Sequence, residues 1–333
     1  METKSARTPE IRYIALGAIA AFLYGSTVFS LFFAMPLQTS WSRGGYRAFL
    51  VSLAAALAGV AAWLFWQYRG LPLGGVGGLL MMLSLPAGLA GAMALVNAGF
   101  LAGLPLVYRI LTGSLVVIAI ALPSVYSLFA NPDVQTFLLK GIEEMTRTMD
   151  SVGGEGYAGA VLRSNLEPRV MLEAARRVIA DAFAAVLFAF TFAGHWFGTR
   201  AAGADAPGAR RLPALSSFSV PGRLIWAFIG SWSAVLALRL QNLSDLRAAP
   251  VLEALAWNAA LAVSFCYAVQ GLGILRHLLE RVAPTGPLRW TGILLVVLLL
   301  FNLRTGVWTA GILSVLGATE NWIPYRISKG VQP

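Results

Sequence analysis

Residues 48–66 read AFLVSLAAALAGVAAWLFW, and residues 182–197 read AFAAVLFAFTFAGHWF; neither run holds an Asp, Glu, Lys or Arg. A helix needs about 20 apolar residues to cross a hydrocarbon core. Inside that core the backbone must satisfy its own hydrogen bonds, which leaves helices or closed barrels. The runs are continuous, with none of the two-residue alternation of barrel strands. The fold class is therefore all-α, a polytopic transmembrane helix bundle.

Working outward, eight apolar segments emerge, at about 12–35, 46–67, 73–97, 101–124, 174–198, 221–240, 250–275 and 288–318. They account for a composition that is 58% hydrophobic and only 12% charged over 333 residues. The net charge of +10 fits basic residues facing anionic lipid. No Cys/His cluster or basic-aromatic module points to nucleic acid. Cys266 is the single cysteine, which excludes an intrachain disulfide. The polar, basic start resembles a signal peptide, but the run from Ile14 to Pro36 is too long for one and reads as a retained first helix.

With the N-terminus inside, fourteen Lys and Arg fall on the cytoplasmic side and nine outside, which puts both termini in the cytoplasm of a bacterial inner-membrane protein. Trp226, Trp232 and Trp308 fall deep within segments and are expected to pack inside. The last block, with Asn302-Leu303-Arg304-Thr305-Gly306 at its middle, either tilts as one helix or breaks there into two. The whole chain, 1–333, reads as a single membrane domain. Its central connector, 131–169, carries Val134, Leu138, Met145 and Met149 at helical spacing with Lys140, Glu143, Glu144 and Arg147 on other faces, the pattern of an interfacial amphipathic helix.

Function is sought where the apolar blocks are interrupted. A buried guanidinium is costly unless paired, hydrated or snorkelling, so Arg109 and Arg304 are candidate anion or solute contacts, or headgroup-reaching side chains. Asn302, beside Arg304, marks a place where the backbone can unwind as in discontinuous transporter helices. Asn97, Asn258, Tyr267 and Gln270 either line a cavity or join neighbouring helices by hydrogen bonds. Gly271 lets another backbone or a ligand come close. The pairs Gly74/Gly78 and Gly99/Gly103 have the spacing of close helix contacts. His195 and His277 lack the company of a metal site or catalytic pair, so the chain reads as a non-enzyme without a cofactor.

Three stretches carry a resemblance: Val220-Pro221-Gly222-Arg223-Leu224-Ile225-Trp226, Tyr267-Ala268-Val269-Gln270-Gly271-Leu272-Gly273, and Gly317 through Arg326. They resemble the YybS-like family of bacterial polytopic membrane proteins, whose members carry an aromatic-x-x-Gln-Gly segment. Those members end in Gly-x-x-Asp-x-aromatic-x-x-aromatic-Arg. Here Glu320 takes the Asp position and Pro324 that of a usually acidic residue, while Trp322, Tyr325 and Arg326 fit. The substitutions imply that an ion pair between the terminal carboxylate and the Arg is altered. That family is similar to the S components of energy-coupling-factor transporters, which implies a small-solute-binding domain served by a membrane coupling protein and ATPases.

Two readings of function follow. A solute-binding or transport subunit requires a polar cavity that includes Arg109 or Arg304. A non-transporting scaffold for an envelope protein complex requires a filled core and uses the 131–169 connector to dock its partner. The lipid bilayer is the common partner of both.

Overall fold

In a computed structural model the described residues are 8–26, 29–69, 76–152, 167–207, 212–240, 249–282, 292, 294–296, 298–300, 302 and 304–326. Their elements are α1 (Thr8–Gly25), α2 (Ala34–Tyr68), α3 (Val76–Val96), α4 (Leu106–Ala130), α5 (Pro132–Val152), α6 (Pro168–Ala202), α7 (Leu224–Leu240), α8 (Ala249–Val282) and α9 (Gly306–Thr319). The all-α reading holds. Five helical stretches are long and apolar enough to cross a membrane, Ser30–Tyr68, Gly77–Val96, Leu106–Ala130, Pro168–Ala202 and Ala249–Arg281; α7 and α9 are shorter and apolar. Two compact units divide the chain, residues 1–104 with 109–210 and residues 105–108 with 211–333. The helix after the connector, α6, therefore belongs with the first group of helices.

In the first unit the glycines report how the helices run. A methyl added at Gly17 of α1 would fall 2.3 Å from the Ser52 carbonyl oxygen of α2, one at Gly59 would fall 2.7 Å from Ala21, and one at Gly25 would meet the Trp63 ring at 3.2 Å. Residue numbers rise together in both helices, so α1 and the 46–68 part of α2 are parallel. The chain must return between them, and 34–44 does so: Phe33 packs edge-on against Tyr24 at 5.5 Å, while Gly44 touches Tyr13 at the other end of α1. Gly45 then reverses the direction with φ 68° and ψ −159°, inside what would otherwise be one 35-residue helix.

This corrects the sequence reading of a single span over 12–35 followed by a loop. The 36–42 stretch is helical, and Pro36, Leu37, Gln38, Thr39, Ser40 and Ser42 are buried. The extra passage also alters the charge tally. Arg12, Arg43, Arg47, Arg109 and Arg200 lie toward the end of the unit where α1 begins. Arg69, Arg169, Arg176 and Arg177 lie toward the other. The fourteen-to-nine count placed Arg12 and Arg43 on opposite sides, whereas the return over 34–44 brings Gly44 back to Tyr13.

Helices α3 and α4 form an antiparallel hairpin, with Gly88 against Val117 and Gly113 against Ala92. Asn131 starts α5 by accepting the N–H of Asp133 at 2.9 Å, with Pro132 in the first turn where its missing N–H is harmless. Arg176 of α6 ties this corner: it pairs with Glu173 and donates to the Phe129 carbonyl at 2.9 Å. Of the glycine pairs singled out by spacing, Gly99/Gly103 does not pack in this way. A methyl at Gly99 or Gly103 would meet nothing within 4 Å, and Gly74 lies outside the described residues.

In the second unit α7 and α8 are antiparallel. Phe228 lies edge-on to Tyr267 at 5.4 Å, and the Trp232 indole N–H donates to Ser264 at 3.0 Å. Helices α8 and α9 are closer still, because Gly271 faces the Leu313 carbonyl and Gly317 faces that of Tyr267. The last block is broken, as one of the two expectations had it: residues 302, 304 and 305 form a turn before α9. Trp226 and Trp308 do not pack inside; they are 74% and 76% exposed, and Trp232 is 38% exposed. A surface facing acyl chains has no need to hide its apolar rings, which is why depth along a segment did not translate into burial.

Candidate functional site

Three places stand out, two of which hold residues that sequence reasoning singled out. The first is a polar layer in the first unit. Gln38 Nε2, with two protons to give, stands within donating distance of Thr199 at 3.1 Å, Ser42 at 3.3 Å and the Asn97 Oδ1 at 3.2 Å. Asn97 returns a bond of 2.6 Å to Gln38 Oε1. Thr39 donates to the Gly198 carbonyl at 3.0 Å. These bonds are possible because 34–44 lies against α6 with almost no side chain between: a methyl at Gly198 would fall 2.5 Å from the Met35 carbonyl oxygen. Arg43 closes the layer by donating to the carbonyls of Ala201 and Ala202, the last turn of α6, where a cation complements the helix dipole. Buried polar groups that satisfy one another are worth little as a ligand site and much as a joint between helices.

Arg109 is 5% exposed, in the first turn of α4. It stands one turn before Gly113, so it shares the face that α4 presents to α3. In the hairpin register it is level with Val96, next to Asn97 and the polar layer.

The second place is a cleft of about 350 Å³ toward the opposite end of the same unit. Trp63, Leu64 and Tyr68 of α2, Tyr24 of α1, Met81, Met82, Ser84, Leu85 and Leu89 of α3, Ser124, Val125 and Leu128 of α4, Phe190 of α6 and Ser30 line it. Pro86 of α3 and Pro123 of α4 interrupt their helical ladders beside it. Arg109 lies 15 residues before Ser124, about 22 Å along a helix. This cleft and the buried guanidinium are thus separate.

Arg304 and Asn302 are both exposed, in the turn before α9. Asn302 Oδ1 accepts the N–H groups of Arg304 at 3.0 Å and Thr305 at 3.2 Å, so its side chain shapes the turn. Asn258 bonds back to the Ala254 carbonyl of its own helix at 2.8 Å.

The third place gathers the stretches that carried the resemblance. Gln270 of α8 accepts the Val220 N–H at 2.6 Å and donates to the Gly317 carbonyl at 3.0 Å and to Glu320 at 2.8 Å. Arg326 sends Nε and Nη2 to the two carboxylate oxygens of Glu320. Its Nη1 donates to the carbonyls of Ser216 and Phe218, each at 2.9 Å. Tyr267 is fully buried one turn before Gly271. Tyr325 meets the Thr319 hydroxyl at 3.2 Å, and Trp322 is 64% exposed.

The ion pair expected to be altered is made, because the one-carbon-longer Glu320 still presents both oxygens to the Arg326 fork. Gln38, Thr39 and Thr199 were missed by sequence reasoning. The signal available was a polar Gln-Thr-Ser cluster directly after an apolar run, which was read as a loop.

A family model described as a predicted membrane protein (DUF2232) matches residues 13–316. The chain belongs to the DUF2232 family. The DUF2232 match runs through both units, includes Arg109, the cleft and Gln270, and stops just before Gly317. Comparison with curated proteins and with solved structures gives no match. DUF2232 membership agrees with a protein embedded in a bilayer through several apolar helices.

Proposed function

We propose that this protein is a solute-binding, transport-related subunit of the bacterial cytoplasmic membrane, with its ligand held in the cleft of the first unit. The observation that carries the proposal is the cleft itself: about 350 Å³ in size, bounded by four aromatic rings and two methionines, with a few hydroxyl groups among them. Small-molecule sites have this size and make-up, a mainly apolar wall with sparse polar groups that fix orientation. The resemblance to S components supports the same reading, and by that likeness a membrane coupling protein and ATPases would supply the energy; the sequence carries no P-loop of its own. In this reading the chain performs no covalent chemistry.

Native mass spectrometry of the full chain extracted in its own lipids tests the proposal. A small-molecule adduct is expected on the native protein and not on Leu85→Trp, which fills the cleft. Absence of any adduct on the native protein would overturn it. It would favour the scaffold reading, for which α5 offers the exposed strip Lys140, Glu143, Glu144 and Arg147.

A further inference from the structure

The chemistry of the cleft wall narrows what it can hold; this step rests on the cleft being the binding site. We infer that its ligand is an uncharged amphipathic molecule, an apolar chain or ring ending in a hydroxyl-type hydrogen-bond donor. None of the fourteen lining residues is Asp, Glu, His, Lys or Arg. A charged group held there would lose its water without gaining a counter-charge.

The hydroxyl groups sharpen the choice. Ser84 has committed its proton to the Met81 carbonyl at 2.6 Å, and Tyr24 directs its own toward the Met82 carbonyl at 3.5 Å. A hydroxyl that has given its proton keeps lone pairs and acts as an acceptor. Those two groups therefore favour a ligand that donates, while the Trp63 indole N–H can only donate; a hydroxyl, which does both, suits this wall, and a carboxylate or phosphate would meet no counter-charge there. Nor does Arg109, buried in the same unit, offer a remedy. Arg109 stands about 22 Å down α4 from Ser124, beyond the reach of a group seated in the cleft. Trp63, Tyr68, Tyr24 and Phe190 supply flat apolar area for the body of the ligand.

Three photoactivatable probes of equal chain length, each with a diazirine in the chain, separate the alternatives: a fatty alcohol, a fatty acid and an alkyl trimethylammonium. The full chain is reconstituted in phosphatidylcholine nanodiscs, irradiated and mapped by peptide mass spectrometry. The alcohol is expected to label 63–68 and 81–89 at least tenfold above the other two. That labelling should be lost in Leu85→Trp and fall several-fold in Ser84→Ala, a change too small to disturb folding. Equal or stronger labelling of the cleft by the acid or the ammonium probe would overturn the neutral-donor inference and leave the cleft as the binding site. If no probe labels the cleft above the lipid-facing stretch around Trp226, both the inference and the binding site fall.

Discussion

Arg326 holds Glu320 with two of its nitrogens and the carbonyls of Ser216 and Phe218 with the third, so one guanidinium fastens the end of the described chain to the segment that precedes α7. Both side chains are largely buried, at 14% and 12% exposure. Removing one partner of a buried pair leaves the other charge uncompensated, at about 3–5 kcal/mol. Arg326→Ala and Glu320→Gln should each lower the melting temperature in detergent. Arg326→Lys should not restore it, since an ammonium cannot reproduce the fork. Glu320→Asp should retain more stability than Glu320→Gln.

Gln270 contributes both an acceptor and two donor bonds to the same cluster. Gln270→Glu removes the donors and sets a second carboxylate against Glu320. It is expected to reduce accumulation of folded protein more than Gln270→Leu, which only removes the bonds. Quantified membrane-fraction yield of the two variants checks the order.

A matched set of glycines tests the packing of α8 on α9. A methyl at Gly271 or at Gly317 would fall 2.0 Å from a carbonyl oxygen, whereas one at Gly230 or Gly311 meets nothing within 4 Å. Gly271→Ala and Gly317→Ala should destabilise the protein by several kcal/mol through forced separation of the helices, of the order seen for overpacked cores (about 1–3 kcal/mol) or above it. Gly230→Ala and Gly311→Ala should be neutral or slightly stabilising, because alanine is the better helix former. Thermal unfolding of the four variants decides.

Gly45 isolates a different cause. Space surrounds its α-carbon, so Gly45→Ala meets no clash, and any loss comes from holding an L residue at φ 68°. A cost of about 1–3 kcal/mol is expected. Gly45→Asn should lose as much, since φ 68° with ψ −159° lies in a region open essentially to glycine alone, away from the left-handed helical basin that Asn tolerates. Equal stability of all three proteins would show that the reversal between the two parts of α2 occurs elsewhere.

Much of this fold is legible in apolar run length. The runs gave the class because a bilayer demands about twenty apolar residues, whatever they pack against. They could not reveal the return over 34–44, because a helix lined by α1 and α6 need not be uniformly apolar. Its Gln38, Thr39 and Ser42 find partners in residues up to 161 positions away. The clasp around Gln270 was visible as three separate motifs but not as a contact, since nothing in spacing alone brings 216–220, 270 and 317–326 together. The two arginines differ for a related reason, Arg109 being buried and Arg304 exposed. A guanidinium's position along a helix says what it costs, while its neighbours across the bundle decide what it does.

The parallel pairing of α1 with 46–68 also has a consequence for biogenesis. Ribosomes deliver the chain in order, and Gln38 leaves long before Thr199, Gly198 and the α6 carbonyls held by Arg43 exist. At about 5–20 residues per second, the 161-residue gap corresponds to roughly 8–30 s. During that interval the return segment has α1, the rest of α2 and, once it is made, Asn97 after α3 for company, and its polar side chains lack their α6 partners. Newly made protein is thus exposed to quality-control proteases at this segment until α6 arrives, and mutations that slow synthesis between α3 and α6 would lengthen that exposure without altering the finished molecule.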